Sequence, residues 1–275
     1  MELIGLIAGN GSFPLLFARE ARRRGYRVAA VAHRGETDPS LAAEVESLVW
    51  VRAGQIGRVI KALKHAGVRE AVMAGGIDKV RSLASLRPDL RALKLLAGAG
   101  RHGDDALLRG FAEELEREGV KVVSSTAFLD EMLAAAGLIA GSVPSSVSLK
   151  DLRLGCAVLA DLGRHDVGQG VVVEGGLVLA IEAIEGTDAM IRRAGELGRG
   201  SSVVVKMAKS GQDMRFDMPA VGPETVRVMA VSGAAVLAVE AARTLILEAE
   251  TLVAEAERLG VSVVGCDHRG EVEGV

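Results

Sequence analysis

Lys206, Lys209, Asp213, Arg215 and Asp217 lie close together in a C-terminal half that is otherwise strongly apolar. Lysine and arginine neutralise phosphate oxygens, and an aspartate holds Mg²⁺ or positions a water. The apolar run Ser201 to Val205 reads as a buried strand that delivers these charges, and Pro219, Gly222 and Pro223 close the segment. Mixed charges at the exit of a buried strand suit a diphosphate and its metal ion better than a plain surface turn. Asp217 stands between Phe216 and Met218, a setting expected at the rim of an apolar pocket. Asp217 and Lys206 are therefore catalytic candidates, with Asp217 also the metal candidate, and Lys209 and Arg215 are substrate-binding candidates. A solvated charged loop is the structural alternative.

Upstream, Glu182, Glu185 and Asp188 crowd the end of another strand. Close carboxylates fit Mg²⁺ or a proton relay, which makes Asp188 the third catalytic candidate and Thr187 a substrate-binding one. Thr187 and Asp188 also serve as an ordinary helix start. His165 beside Asp166 resembles an oriented base, although the pair also reads as the end of a helix. Asp104 and Asp105 open a long helix, either as a cap and dipole partner or as ligands facing a cleft.

Nearer the N-terminus, the run Gly9-Asn10-Gly11-Ser12-Phe13-Pro14 leaves the first strand. Its glycines let the backbone approach a diphosphate, and the helix beginning at Pro14 aims its positive end there. The dinucleotide fingerprint requires a third glycine where Pro14 stands and an acid after the second strand, where this chain has His33-Arg34. The turn thus favours a nucleotide or diphosphate and disfavours NAD. Gly75 and Gly76 end the fourth strand on the edge where ligands of open α/β sheets collect.

These residues need a scaffold, and its pattern is legible. The 275 residues suggest one large domain or two medium ones, with 49% apolar and 25% charged residues. A net charge of −3 provides no basic field for nucleic acid, and 3% aromatic residues provide few stacking platforms. Two distant cysteines, Cys156 and Cys266, read as buried thiols in a reducing compartment. The N-terminus shows no signal-peptide pattern, and no apolar stretch reaches the roughly 18 residues of a membrane span. A cytoplasmic protein is expected, with any membrane contact peripheral.

The first half alternates strands (Leu3 to Ala8, Arg27 to Ala32, Leu48 to Val51, Ala71 to Ala74, Lys121 to Val123) with helices (Pro14 to Arg24, Gln55 to Ala66, Asp104 to Glu118). That rhythm predicts right-handed crossovers and a parallel sheet. A last helix is expected over Phe128 to Ala136. Beyond it, a hairpin turning at Gly175-Gly176 introduces an antiparallel signal, and helices at Thr187 to Leu197 and Ala249 to Leu259 alternate with strands. The expected fold is α/β: a Rossmann-like domain over 1–137, a Gly/Ser-rich linker over 138–148, and a mixed α/β domain over 149–275.

Gly9-Asn10-Gly11-Ser12-Phe13-Pro14, Gly54-Gln55-Ile56-Gly57, Gly103-Asp104-Asp105-Ala106-Leu107-Leu108 and Asp166-Val167-Gly168-Gln169 occur in that order. Glu185-Gly186-Thr187-Asp188-Ala189-Met190 and Arg215-Phe216-Asp217-Met218-Pro219-Ala220-Val221-Gly222 follow. With these segments the chain resembles the UDP-2,3-diacylglucosamine pyrophosphatase family of the lipid A pathway, the type without a metallophosphoesterase fold. The resemblance implies Mg²⁺-dependent hydrolysis to UMP and 2,3-diacylglucosamine 1-phosphate (lipid X), with water directed at the phosphorus nearer the sugar. It implies that the N-terminal domain holds UDP and the C-terminal domain the acylated sugar, that Asp217 is the key catalytic acid, and that Gln169 belongs to the substrate site. Asn10 and Met218 stand where relatives commonly have Gly and Leu. A peripheral contact with the inner membrane and homo-oligomerisation are compatible with this reading. Two other classes remain: a non-catalytic nucleotide-sugar binding protein and a nicotinamide-dependent oxidoreductase.

Overall fold

The computed structural model describes residues 2–77, 87–99, 103–209, 213–215 and 218–275, with the backbone alone at 98–99 and 103–106. The chain divides into two compact units, Met1–Asp130 with Asp213–Asp217 and Glu131–Gln212 with Met218–Val275.

The first unit is built on β1 (Leu3–Ala8), β2 (Arg27–His33), β3 (Ser47–Val51), β4 (Glu70–Ala74) and β5 (Lys121–Val122). All pairings are parallel, and the order is β3-β2-β1-β4-β5. β1 and β2 are continuous apolar runs because both of their faces are covered. On one face, α2 (Ile56–His65) and α4 (Gly103–Arg117) bring Val59, Leu63 and Leu115 against Ile7, Val31 and Met73. Elsewhere in the unit, α1 (Phe13–Arg23) and the short α5 (Thr126–Leu129) meet edge-on through Phe17 and Phe128, whose ring centroids are 5.2 Å apart. The connections run in opposite directions from β1 and β4, so a crevice opens at the carboxyl ends of these two strands. An additional helix, α3 (Leu90–Ala99), packs on α4 and was not foreseen in the sequence pattern.

The second unit holds a six-stranded mixed sheet. Its strands are β6 (Gly137–Ala140), β7 (Gly170–Glu174), β8 (Leu177–Ile181), β9 (Ser202–Lys206), β11 (Ala234–Glu240) and β13 (Ser262–Cys266), in the order β6-β13-β11-β9-β7-β8. The central β13, β11 and β9 are parallel, while β6, β7 and β8 run antiparallel to their neighbours. β10 (Ala220–Val221) pairs with β12 (Leu245–Ile246) in a separate ribbon. α6 (Ser146–Gly163) covers one face through Leu152, Cys156 and Leu159. α7 (Thr187–Gly195), α8 (Pro223–Val231) and α9 (Ala249–Leu259) cover the other with Met190, Met229 and Leu252. Both cysteines are buried and free, and hydrogen bonding to Cys266 together with burial pushes the Cys156 thiol pKa up.

The hairpin turns at Gly175 and Gly176, both at positive φ (59° and 79°), as a two-residue connection requires. The buried Asp151 of α6 accepts both glycine N–H groups, at 2.8 and 2.7 Å.

Two sequence expectations change. The helix expected over Phe128 to Ala136 stops at Leu129, followed by a 3-10 turn at Asp130–Met132. Its apolar residues serve two cores: Phe128 packs on Phe17 in the first unit, and Ala134 packs in the second. Residues 138–148 are not a linker. β6 is a strand of the second sheet, and Ser145 caps α6 by accepting the Ser148 N–H at 3.1 Å. The glycine and serines there mark a strand-to-helix turn, and the division between the units falls before Glu131.

Candidate functional site

In the first unit the two glycine pairs meet. The Gly9 N–H donates to Ala74 O at 2.8 Å and the Asn10 N–H to Gly76 O at 2.7 Å. A Cβ on Gly9 would stand 2.1 Å from Gly76 O, and one on Gly75 would stand 2.3 Å from Asn10 O. Close backbone approach therefore accounts for glycine at both positions. Gly11 has positive φ, and Ser12 at the start of α1 makes no side-chain capping bond. The positive end of α1, beginning at Phe13, thus stays available to an anion. Asn10 is held by Glu36, to which its Nδ2 donates at 2.9 Å.

His33 supports this edge. Its Nδ1 lies 2.9 Å from Ala8 O, and Thr37 Oγ1 donates to the same carbonyl at 2.7 Å. Burial lowers the His33 pKa, so the ring stays neutral and braces the β1 exit.

The first unit also contains Asp213 and Arg215. Arg215 donates from Nε and Nη2 to Asp213, at 2.8 Å for the shortest contact, and from Nη1 to Glu116 at 3.0 Å. The guanidinium holds the Asp213 carboxyl below its usual range. Arg215 therefore sits in a carboxylate cluster rather than in the unit that carries Lys206 and Lys209. Asp104 and Asp105 lie in the first turn of α4, with side chains outside the described residues, as are Phe216 and Asp217 altogether.

In the second unit four candidates converge where β7 begins and β8 and β9 end. Lys206 Nζ donates to Thr187 Oγ1 at 2.8 Å, and Thr187 Oγ1 donates to Glu182 Oε1 at 2.8 Å. Glu182 Oε2 accepts the Gln169 N–H at 3.2 Å, and the Gln169 carbonyl accepts the Met207 N–H at 2.9 Å. Gly168 is required here, because a Cβ would stand 2.0 Å from Glu182 O. Lys206 forms no ion pair among the described residues, so its charge remains available to an anion. Asp188, half-buried in the first turn of α7, has no partner among the described residues. Lys209 pairs with Asp166 at 2.6 Å, whereas His165 is exposed, so Asp166 orients the lysine.

Glu240 is a member that sequence reading missed. It is 4% exposed, accepts the Ala208 N–H at 3.1 Å and pairs with Arg243, thereby fixing the chain between Lys206 and Lys209. A single acid ending the apolar run Ala-Ala-Val-Leu-Ala-Val was the available signal.

Among the described residues, no group of three or more His, Cys, Asp or Glu stands in a metal-holding arrangement. Glu182 is engaged as above, and Glu185 is bonded to its own N–H and to Arg193, which hold its carboxyl below the usual range. No helix among the described residues is long and apolar enough to cross a membrane.

Comparison with known proteins agrees with the resemblance drawn from the motifs. The LpxI N-terminal domain matches residues 3–132 and the LpxI C-terminal domain residues 135–264. The UDP-2,3-diacylglucosamine pyrophosphatase LpxI of Caulobacter vibrioides is 36% identical over 97% of this chain and 98% of its own length. Two solved structures are far less alike. The biotin carboxylase domain of a thermophilic 2-oxoglutarate carboxylase is 11% identical with a TM-score of 0.29, covering 67% of this chain and 39% of its own. The gox2253 structure is 14% identical with a TM-score of 0.30, covering 90% and 78%. Neither carries an argument. Two domain matches that together span the chain, and a relative alike from end to end, show that it belongs to the LpxI family.

Proposed function

We propose that this enzyme hydrolyses the diphosphate of UDP-2,3-diacylglucosamine to UMP and 2,3-diacylglucosamine 1-phosphate in lipid A synthesis. The observation that carries the reading is the full-length likeness to the Caulobacter vibrioides pyrophosphatase. Lys206, which forms no ion pair among the described residues and is set in the Gln169–Glu182–Thr187 network, supports it chemically.

In this reading the oxygen of a water attacks the phosphorus nearer the sugar, and the bond from that phosphorus to the bridging oxygen breaks. UMP leaves with the bridging oxygen, and the water proton passes to Asp217 and then to solvent. Lys206 and Lys209 offset the growing negative charge. Asp217 would hold Mg²⁺, which when bound neutralises diphosphate oxygens. The acyl chains fall to the second unit, and a peripheral inner-membrane contact would supply such a substrate to a cytoplasmic enzyme.

The test is UMP release from UDP-2,3-diacylglucosamine with Mg²⁺, with EDTA, and with Asp217→Ala, run in ¹⁸O-labelled water. Metal-dependent release that is lost in the variant, with label in the sugar phosphate, is expected. Tight binding of the substrate without release by folded protein would replace the hydrolase with a nucleotide-sugar binding protein.

A further inference from the structure

Gly170, the first residue of β7, lies between two charged side chains of the second unit. On one side it is paired with Lys206 of β9. On the other its carbonyl accepts the Glu182 N–H at 2.9 Å, one residue beyond β8. Residues opposite one another on neighbouring strands send their side chains to the same face, so Lys206 and Glu182 share a face. Two strand spacings, roughly 10 Å, part their backbones. Gly170 is not at positive φ, and glycine serves here by making room. A Cβ would stand 2.8 Å from Glu182 Oε2 and 3.0 Å from Met190 Cε.

Thr187, at the start of α7, closes the gap between the two charges. Its hydroxyl carries a single proton, which Glu182 Oε1 accepts at 2.8 Å. The Lys206 ammonium is a donor only, so it meets the lone pairs of that hydroxyl, at 2.8 Å. The chain of bonds therefore has one direction, from Lys206 through Thr187 to Glu182. The second carboxylate oxygen is committed as well, to the Gln169 N–H at 3.2 Å.

A direct ion pair between Lys206 and Glu182 would neutralise the ammonium. Elsewhere in the unit acids and cations do meet directly, as Lys209 with Asp166, Arg193 with Glu185 and Arg243 with Glu240. Glu182 instead has a hydroxyl and a backbone N–H as its side-chain partners. With threonine interposed, one ammonium N–H is anchored, and two N–H donors with the full charge remain for an anion.

We propose that Glu182 is a positioning residue for hydrolysis: acting through the Thr187 hydroxyl, it aims the Lys206 ammonium at the diphosphate. The role deepens the hydrolase reading above and rests on it.

A double-mutant cycle on UMP release from UDP-2,3-diacylglucosamine tests the role, combining Glu182→Gln or Thr187→Val with Lys206→Met. An amide has one acceptor oxygen where the carboxylate has two, so Glu182→Gln cannot keep both the Thr187 and the Gln169 bond. Each single change should lower kcat about tenfold or more with KM less affected, as for loss of one hydrogen bond to a charged group. Thr187→Ser keeps the hydroxyl and should retain most of the rate. In the Lys206→Met background neither Glu182→Gln nor Thr187→Val should cost more than about a further twofold. Thermal melts check that the variants are folded, and Thr187→Val carries the cycle if Glu182→Gln does not fold. Losses that multiply with that of Lys206→Met overturn the proposal, because Glu182 or Thr187 then acts without the lysine. So does an unchanged kcat in Glu182→Gln or Thr187→Val, or a Thr187→Ser variant as slow as Thr187→Val. Wild-type protein that releases no UMP rejects the hydrolase reading. The same cycle is then read on the Kd for UDP-2,3-diacylglucosamine, where coupled losses support the positioning and independent losses overturn it.

Discussion

At Lys206 the ammonium group has one neutral partner, Thr187 Oγ1, and no carboxylate among the described residues. Lys206→Met keeps the aliphatic stem and removes the charge. The expected outcome is a fall in kcat for UMP release of about 10²–10³-fold, the usual effect of deleting one transition-state donor. Melting temperature should stay nearly constant, and steady-state kinetics beside a thermal melt check both. His33 makes a prediction of opposite kind. Burial lowers its folded pKa below the ordinary 6.5, so the unfolded chain binds the proton more readily. Its contribution to stability is complete above about pH 6.5 and is lost as pH falls toward the folded pKa, by at most ~1.4 kcal/mol per pH unit. Denaturant titrations from pH 7.5 to 5 should show that slope in the wild type and a shallower one in His33→Gln. Much of the second-unit cluster was legible, because Gln169, Thr187 and Lys206 all stand where strands meet loops on one sheet. The allocation of Arg215 was not, since nothing in Asp213-Met214-Arg215 shows that its carboxylate partner is Glu116, on a helix far earlier in the chain.

Between elements, the tightest junction is the crossing of the β1 and β4 exits. Gly9→Ala would drive a Cβ to 2.1 Å from Gly76 O, where the neighbour is backbone and yields little. A loss of about 1–3 kcal/mol or more is expected from such overpacking. Urea denaturation of the first unit measures it, and an unchanged midpoint would show that the junction relaxes. The parallel sheet was readable from strand–helix alternation, and the hairpin from Gly175-Gly176. Residues 128–148 misled because an apolar period reads alike whether one core or two receives it, and because Gly and Ser mark turns inside a domain as well as linkers between domains. α3 escaped notice because Leu90, Leu93 and Leu96 are exposed, so its pattern is not that of a helix with one buried face.

For the whole molecule, each unit has its own apolar clusters: Val31, Leu63 and Leu115 in the first, Met190, Leu237 and Leu252 in the second. Calorimetry should therefore give an enthalpy larger than the van't Hoff value, as expected for two transitions. UMP at about 100 times its Kd should raise only the first-unit transition, by the equivalent of about 2.7 kcal/mol. A single transition raised as a whole would show instead that the units unfold together.

The first unit is discontinuous in sequence: Ser124 Oγ donates to Met214 O at 3.2 Å, and Arg215 pairs with Glu116. These contacts join its main body to residues made about 85 positions after Asp130. During synthesis at roughly 5–20 residues per second, that separation is a delay of about 4–17 s. For that interval the nascent first unit carries Glu116 without its arginine partner. The order of translation thus makes the second unit's midsection a prerequisite for finishing the first.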